Sequence, residues 1–482
     1  MKRQDGTRGK TRPPAVREKV IPHGRGLLFL LLALGVQTMI VEVTIPRILA
    51  PAFGNTLFCW TAIITTVLVA LSLGYYAGGI LSSRAKVRRS IVLFAVFSSL
   101  WVLLLGLFGE RTVLHLAGFG IMFGPLVASF LLAAVPAFLG AAVLPMVVEL
   151  HSDRPGRSSG DCYALSTVGS VLGVLVTGYF LLPNLGIRGT LIVASVLVFL
   201  SLMLLGRFFT GTAGLAVCLA IHFIPVPGGA GVIFDRSNGY HRIKILETGG
   251  AGKIRWLFLD NSLEGAVKVG SVVPVLSYQK QIDEILLQVP GAKNVFFIGG
   301  GSFSMPSYVK DRHPDIRVDV AEIDPDVVRA AEEHLGLKPG FNLFLDDGRR
   351  VLRERGERYD LIVNDAFKGL KDIPFHLVTR EFLDIVLDRL TPEGIYAVNV
   401  VGRPGESPLA ESILATIARA VPEVSILDNR EGCVENVWIL ASRSPRGLTA
   451  GRKPAPGETG GRTLTDDDSP VEYLVARELL RR

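Results

Sequence analysis

The sequence predicts a bundle of membrane-spanning α-helices followed by an α/β domain, its doubly wound seven-stranded sheet preceded by a small β-subdomain. Three observations carry this prediction. Of the 482 residues, 49% are hydrophobic and the mean hydropathy is +0.41, too apolar for an ordinary soluble protein. Long apolar runs fill residues 26–227, whereas short β-branched runs alternate with amphipathic stretches from about residue 235. Charge divides the same way. Residues 1–25 hold eight Lys/Arg against two Asp/Glu, residues 26–227 hold ten against five, and residues 228–482 hold 33 against 37. The net charge of +7 therefore belongs to the apolar half and its basic tail. A slightly acidic polar half lacks the basic face that a nucleic-acid partner requires. Four scattered cysteines (Cys59, Cys162, Cys218 and Cys433) form neither a disulfide framework nor a metal site, so no metal is expected.

After the basic tail of residues 1–25, the transmembrane domain of residues 26–227 contains apolar runs near 26–49, 57–81, 90–108, 161–183, 189–206 and 210–226. Residues 112–149 would make a single helix of about 57 Å, nearly twice the hydrocarbon thickness, and Pro125 and Pro136 interrupt it. Two passes are expected there, eight in all. The bias of Lys/Arg puts the tail and the cluster Arg84, Lys86, Arg88 and Arg89 in the cytoplasm. Eight passes would return the polar half to the same side, giving a multi-pass inner-membrane protein with a cytoplasmic domain. Glu42 in the first span is either paired with Arg47 or snorkels to the headgroups.

The polar domain spans residues 235–443. Residues 239–276 read as antiparallel strands, followed by strands at 294–298, 316–322, 341–345, 359–364, 394–400, 423–428 and 435–441, with helices between them. Residues 444–462 have the composition of a flexible linker, and 463–482 look like a docked helix.

Open α/β sheets bind ligands at the C-terminal ends of their strands, and the chemistry-bearing residues lie there. Gly299, Gly300, Gly301 and Ser302 follow the first strand and allow close backbone approach. Glu322, ending the second, is placed to hold ribose hydroxyls, while Asp324 before Pro325 suits a helix cap. Of Asp346 and Asp347, followed by Gly348, one caps the next helix and one is free for an adenine amino group. Asp365, ending the fourth strand, faces the reacting centre or forms a turn.

The stretches 42-EVTIPRILAPAFGNTLFCWT-61, 163-YALSTVGSVLGVLVTGY-179 and 464-LTDDDSPVE-472, with the strand-end motifs, make the chain similar to the membrane-fused spermidine synthase-like proteins of bacteria. The resemblance implies a Rossmann-like methyltransferase sheet and an aminopropyltransferase using decarboxylated S-adenosylmethionine or S-adenosylmethionine. A small-molecule amine, the lipid bilayer and a homodimer are the partners it brings in. It assigns the ribose to Glu322, the adenine to Asp347 and Gly348, and proton abstraction to Asp365. Tyr240, Glu264, Tyr278 and Asp466 fall at substrate-binding positions. His241 and Gln279 hold cofactor-side positions with their polar roles exchanged. Two departures stand out: Ser302 replaces the carboxylate that holds the aminopropyl ammonium, and Lys368 replaces an acid that grips the diamine. Methyl transfer, or a nucleoside sensor on a transporter-like membrane half, are the alternatives.

Overall fold

The computed structural model describes residues 24–151, 155–224, 231–238, 240–250, 252–260, 262–337, 340–366, 374–428, 436–444 and 447–481. Lys368 and Cys433 lie outside these residues, as does nearly all of the basic tail.

Seven helices form the N-terminal half of the described residues: α1 (Gly24–Phe53), α2 (Leu57–Ser82), α3 (Val87–Leu116), α4 (Gly120–Leu150), α5 (Pro155–Val176), α6 (Leu182–Leu204) and α7 (Phe208–Phe223). Four continuous helical stretches within them are long and apolar enough to cross a membrane, two of which hold a helix pair each. Chain reversals separate those pairs. Ala117–Phe119 makes a tight turn ending at Gly120 (φ +75°), and Gly186 (φ +64°) breaks the axis early in α6.

The eight-pass expectation is therefore corrected. The 112–149 stretch does not fold into two passes: its first residues complete α3, and α4 runs unbroken through Pro125, Pro136 and Pro145. Its 31 residues reach about 46 Å. The excess length leaves the bundle, because Ile121 sits in the core of the α/β domain. Prolines are tolerated in apolar surroundings, where water does not compete for the freed backbone groups.

The helices pack through small residues. A Cβ on Gly78 would lie 2.2 Å from the Ala142 carbonyl oxygen, and one on Gly169 2.4 Å from that of Leu32. Gly26 abuts Leu204, and Gly124 abuts Phe53. These contacts fix the directions. One end of the bundle gathers the α1–α2, α3–α4 and α5–α6 turns, and the other gathers the start of α1 with the α2–α3, α4–α5 and α6–α7 turns.

The polar half begins with an antiparallel sheet, β1 (Val232–Ser237), β2 (Arg242–Thr248), β3 (Ile254–Leu259) and β4 (Ser262–Lys268), in sequential order. Short helices α8 (Ser277–Lys280) and α9 (Ile282–Leu286) lead into the main sheet. Its strands are β5 (Asn294–Ile298), β6 (Arg317–Ala321), β7 (Asn342–Phe344), β8 (Tyr359–Asn364), β9 (Leu390–Val401), β10 (Glu423–Asp428) and β11 (Asn436–Ser442), ordered β10-β11-β9-β8-β5-β6-β7. β5 to β9 are parallel, and β11 is antiparallel to both neighbours. Helices α10 (Ser304–Arg312), α11 (Pro325–Ala330), α12 (Gly348–Glu354), α13 (Arg380–Arg389), α14 (Pro408–Ala418) and α15 (Val471–Arg481) cover its two faces. The order reverses between β5 and β8, and that switch opens a crevice at the strand ends.

The expectation of a linker at 444–462 is also corrected. Arg452 exchanges backbone hydrogen bonds with Ile426 (2.9 and 2.8 Å), its side chain reaches Asp428 and Glu458, and Ala450 is buried. Gly and Pro here signal irregular backbone rather than freedom from the domain.

The two halves touch. Arg47 on α1 donates to the Tyr240 carbonyl (3.0 Å), Glu110 on α3 pairs with Arg242, and the Leu57 amide donates to Glu472 on α15 (2.6 Å).

Candidate active site

β5 ends in a turn that only glycine fits. Gly299 has φ +90°, and a Cβ there would meet the Asp365 carbonyl oxygen at 2.8 Å. The buried Phe303, itself at φ +54°, covers Gly300 so closely that a Cβ would strike its ring at 2.4 Å.

Glu322 braces this turn from the end of β6. One carboxylate oxygen accepts from the Gly300 amide (2.8 Å) and the other from the Asp324 amide (2.9 Å). Burial raises its carboxyl above the usual range, and those amide bonds oppose the rise. Asp324 caps α11 and accepts from the Asn238 side-chain nitrogen at both carboxylate oxygens (2.7 and 2.9 Å), and Asp326 accepts from the same nitrogen (3.0 Å). Asn238 in turn holds the Tyr240 and His241 amides (2.7 Å each), which sets the entry to β2. His241 lies 3.5 Å from Asp260 and is close enough to Glu322 to favour its charge. Tyr240 is exposed.

At the end of β7, Asp347 caps α12 by accepting from the Arg350 amide (3.1 Å), and Asp346 pairs with Arg350. The cap is thus the second aspartate. Burial pushes the Asp347 carboxyl up, but a 2.8 Å hydrogen bond with His376, the Arg350 and Arg349 amides and the nearby His376 ring together leave it below its usual value. Gly348 is packed so tightly on Ile298 that a Cβ would lie 2.5 Å away.

Asp365 follows β8 beside the glycine turn, its amide donating to the Ile298 carbonyl. It is half-buried, and one carboxylate oxygen accepts from Asn399 on β9 (2.7 Å). Burial pushes its carboxyl up to about 7, against bonds from Asn399 and the Tyr278 hydroxyl. Tyr278 is buried, and burial, then the nearby charges of Asp365 and Glu264, holds its phenol well above the usual value. Its hydroxyl accepts from Gln279 (3.1 Å), whose carbonyl oxygen accepts from Ser304 (2.9 Å), which accepts from Ser302 (3.2 Å). Ser302 also packs against Gly265 on β4.

The structure thus joins Asp365, Tyr278, Gln279 and Ser302 in one chain of contacts, with Glu264 nearby, and links Glu322 to the glycine turn. Asp466 stands apart. It accepts from both Arg349 terminal nitrogens (2.7 and 2.5 Å) and from Thr379 (2.8 Å), clamping the C-terminal segment to α12. Sequence reading missed Asn399, Asn436 (donating to Asn399, 3.1 Å), Asn238 and His376. A lone Asn inside the apolar run of β9 was the available signal.

No family model matches the chain. A polyamine aminopropyltransferase of Vibrio vulnificus is 37% identical over 119 residues, 24% of this chain and 40% of that protein. The human eEF1A lysine and N-terminal methyltransferase is 31% identical over 152 residues, 29% of this chain and 21% of that protein. The chain thus spans less than half the length of either. Polyamine aminopropyltransferase 1 of Streptomyces coelicolor is 26% identical over 422 residues, 77% of this chain and 76% of that protein. Among solved structures, a probable spermidine synthase of Corynebacterium glutamicum matches 45% of this chain and 81% of its own at 21% identity, with a TM-score of 0.40. Polyamine aminopropyltransferases are thus similar to the C-terminal part of the chain, and with the Streptomyces protein the similarity extends through most of it.

Proposed function

We propose that the chain is a membrane-attached aminopropyltransferase-like enzyme that alkylates an amine from a sulfonium nucleoside. The observation that supports this best is Asp365, a half-buried carboxyl with a neutral-range pKa, beside a glycine turn braced by Glu322. The residues present suit a nucleoside: a glycine turn at Gly299–Gly301, an acid at the end of β6, and Asp347–Gly348 at the end of β7. In the reaction the amine nitrogen bonds to the carbon next to sulfur, the carbon–sulfur bond breaks, and a thioether nucleoside leaves. The sulfonium is already an activated leaving group, so the protein supplies position and a proton acceptor. Asp365 takes the amine proton, held by Asn399 and Tyr278.

As a base, Asp365 must be ionised. The rate should fall below about pH 7 and level off above it. A bound cation favours the carboxylate and moves the midpoint lower with nucleoside present. Full-length protein supplied with decarboxylated S-adenosylmethionine and a diamine should release methylthioadenosine, and Asp365→Asn should not. Release by the variant at the wild-type rate refutes the assignment of the base.

Methyl transfer is the second reading, favoured by Ser302. The groups that hydrogen-bond in line from it, Ser304 and then Gln279, are neutral, so position 302 itself brings no charge to a free ammonium. Competition between the two nucleosides decides. Ser302→Asp should shift preference toward the decarboxylated form, whose ammonium it would pair.

A further inference from the structure

We propose that the end of the bundle remote from the α/β domain lies at the anionic cytoplasmic leaflet, so that the α/β domain is on the outer side of the membrane. This rests on the helix directions and the charges at the two ends, not on the reading of the active site.

An odd number of antiparallel passes places the start of α1 and the end of α7 at opposite ends. α7, a 16-residue apolar helix shorter than the four spanning stretches, runs antiparallel to α6: Gly211 packs on Met203, and Arg188 near the start of α6 donates to the Ile224 carbonyl (2.7 Å) beyond α7. Among the described residues, these contacts between the halves lie at the end where α7 finishes. These involve Arg47, Leu57, Glu110 and Ile121, all at or near the α1–α2 and α3–α4 turns.

The basic residues are concentrated at the other end. Residues 1–25, which enter the bundle there, carry eight Lys/Arg, the α2–α3 turn region four, the α4–α5 connection two, and the α6–α7 turn Arg207. The end facing the α/β domain carries Arg47, Arg111 and Arg188, and Arg236, Arg242 and Lys244 follow within 25 residues of the end of α7. The count is 15 against six, all in short connections or within about 25 residues of a helix end. Lys/Arg in such segments sets orientation, while long domains cross largely regardless of charge. Three of the opposing arginines are also occupied, Arg47 by the Tyr240 carbonyl, Arg188 by carbonyls at the end of α7, and Arg242 by Asp235 and Glu110. With the α/β domain outside, its nucleoside and amine must come from the outer compartment.

The test is cysteine labelling of the full-length protein in intact spheroplasts with a membrane-impermeant maleimide, the parent chain giving the baseline. Ser83→Cys lies on the exposed α2–α3 turn and Asp388→Cys on exposed α13. Labelling of Asp388→Cys, with Ser83→Cys labelled only after permeabilisation, is expected. The reverse pattern, or equal labelling of both in intact cells, overturns the proposal. External protease gives an independent readout: the α/β domain should be digested in intact spheroplasts, and protection refutes the placement. Methylthioadenosine binding to the solubilised full chain is indifferent to orientation, so failure there counts against the functional reading alone.

Discussion

The two halves are held together by opposite means. In the bundle, helices meet backbone to backbone at glycine, as at Gly74, Gly78 and Gly169, while Leu68, Leu73, Phe97 and Phe130 are left exposed on the outside. In the α/β domain large apolar side chains fill the inside, with Ile362, Val363, Phe296 and Phe297 essentially without exposure. Lipid is as apolar as leucine, so hydrophobic burial cannot drive helices together there, and close packing must. In water the reverse holds, and area removed from solvent drives assembly. The chemistry also divides. Asp365, Glu322 and Asp347 belong to the α/β half, and the bundle touches their surroundings mainly through Arg47 and Glu110.

The sharpest test is chemical. Asp365→Asn should lower turnover by about 10²–10⁴-fold, the contribution of a general base. It should not destabilise the fold. Wild type carries a buried carboxylate whose folded pKa is raised, so its stability falls as pH rises from the unfolded value through about 7. The variant should therefore melt above wild type at pH 8, the gap closing steadily as pH falls through 7 toward about 4, and a lower melting temperature at pH 8 would contradict the burial argument. Next, Ile362→Ala should cost the α/β half about 2–5 kcal/mol, measured by thermal unfolding of the solubilised chain. In the bundle, enlarging a residue should do the damage: Gly78→Leu should cost about 1–3 kcal/mol or more. Gly79→Leu, one position on and open to the outside, should be nearly silent. Equal effects at 78 and 79 would dissolve the contrast. The smallest effect is Asp466→Ala, about 1 kcal/mol, because the Arg349 pair it breaks is partly exposed.

The sheet was readable because each strand is an apolar run closed by a polar residue, and Asp365 and Glu322 are such closures. Asn399 was hidden for the same reason: it lies within the run 394–400, where pattern shows burial but not a partner on another strand. The Arg349 and Thr379 partners of Asp466 were equally out of reach of the pattern, because they lie 117 and 87 residues away in sequence. The helix count failed on proline, which breaks helices in water but not in apolar surroundings, and on length, because α4 belongs to both halves. The 444–462 segment failed because composition reports regularity, not packing.

The bond from the Leu57 amide to Glu472 joins residues 415 apart in sequence. At ribosomal speeds of about 5–20 residues per second, the first helical hairpin waits about 20–80 s for the partner that caps it. Ile121 likewise waits for α15 to complete the core they share. During synthesis those apolar ends face water, lipid or a chaperone, and the last segment made closes the molecule. Truncation ahead of α15 would therefore leave the bundle's end uncapped as well as opening the α/β core, and loss of the C-terminus would register at both ends of the chain.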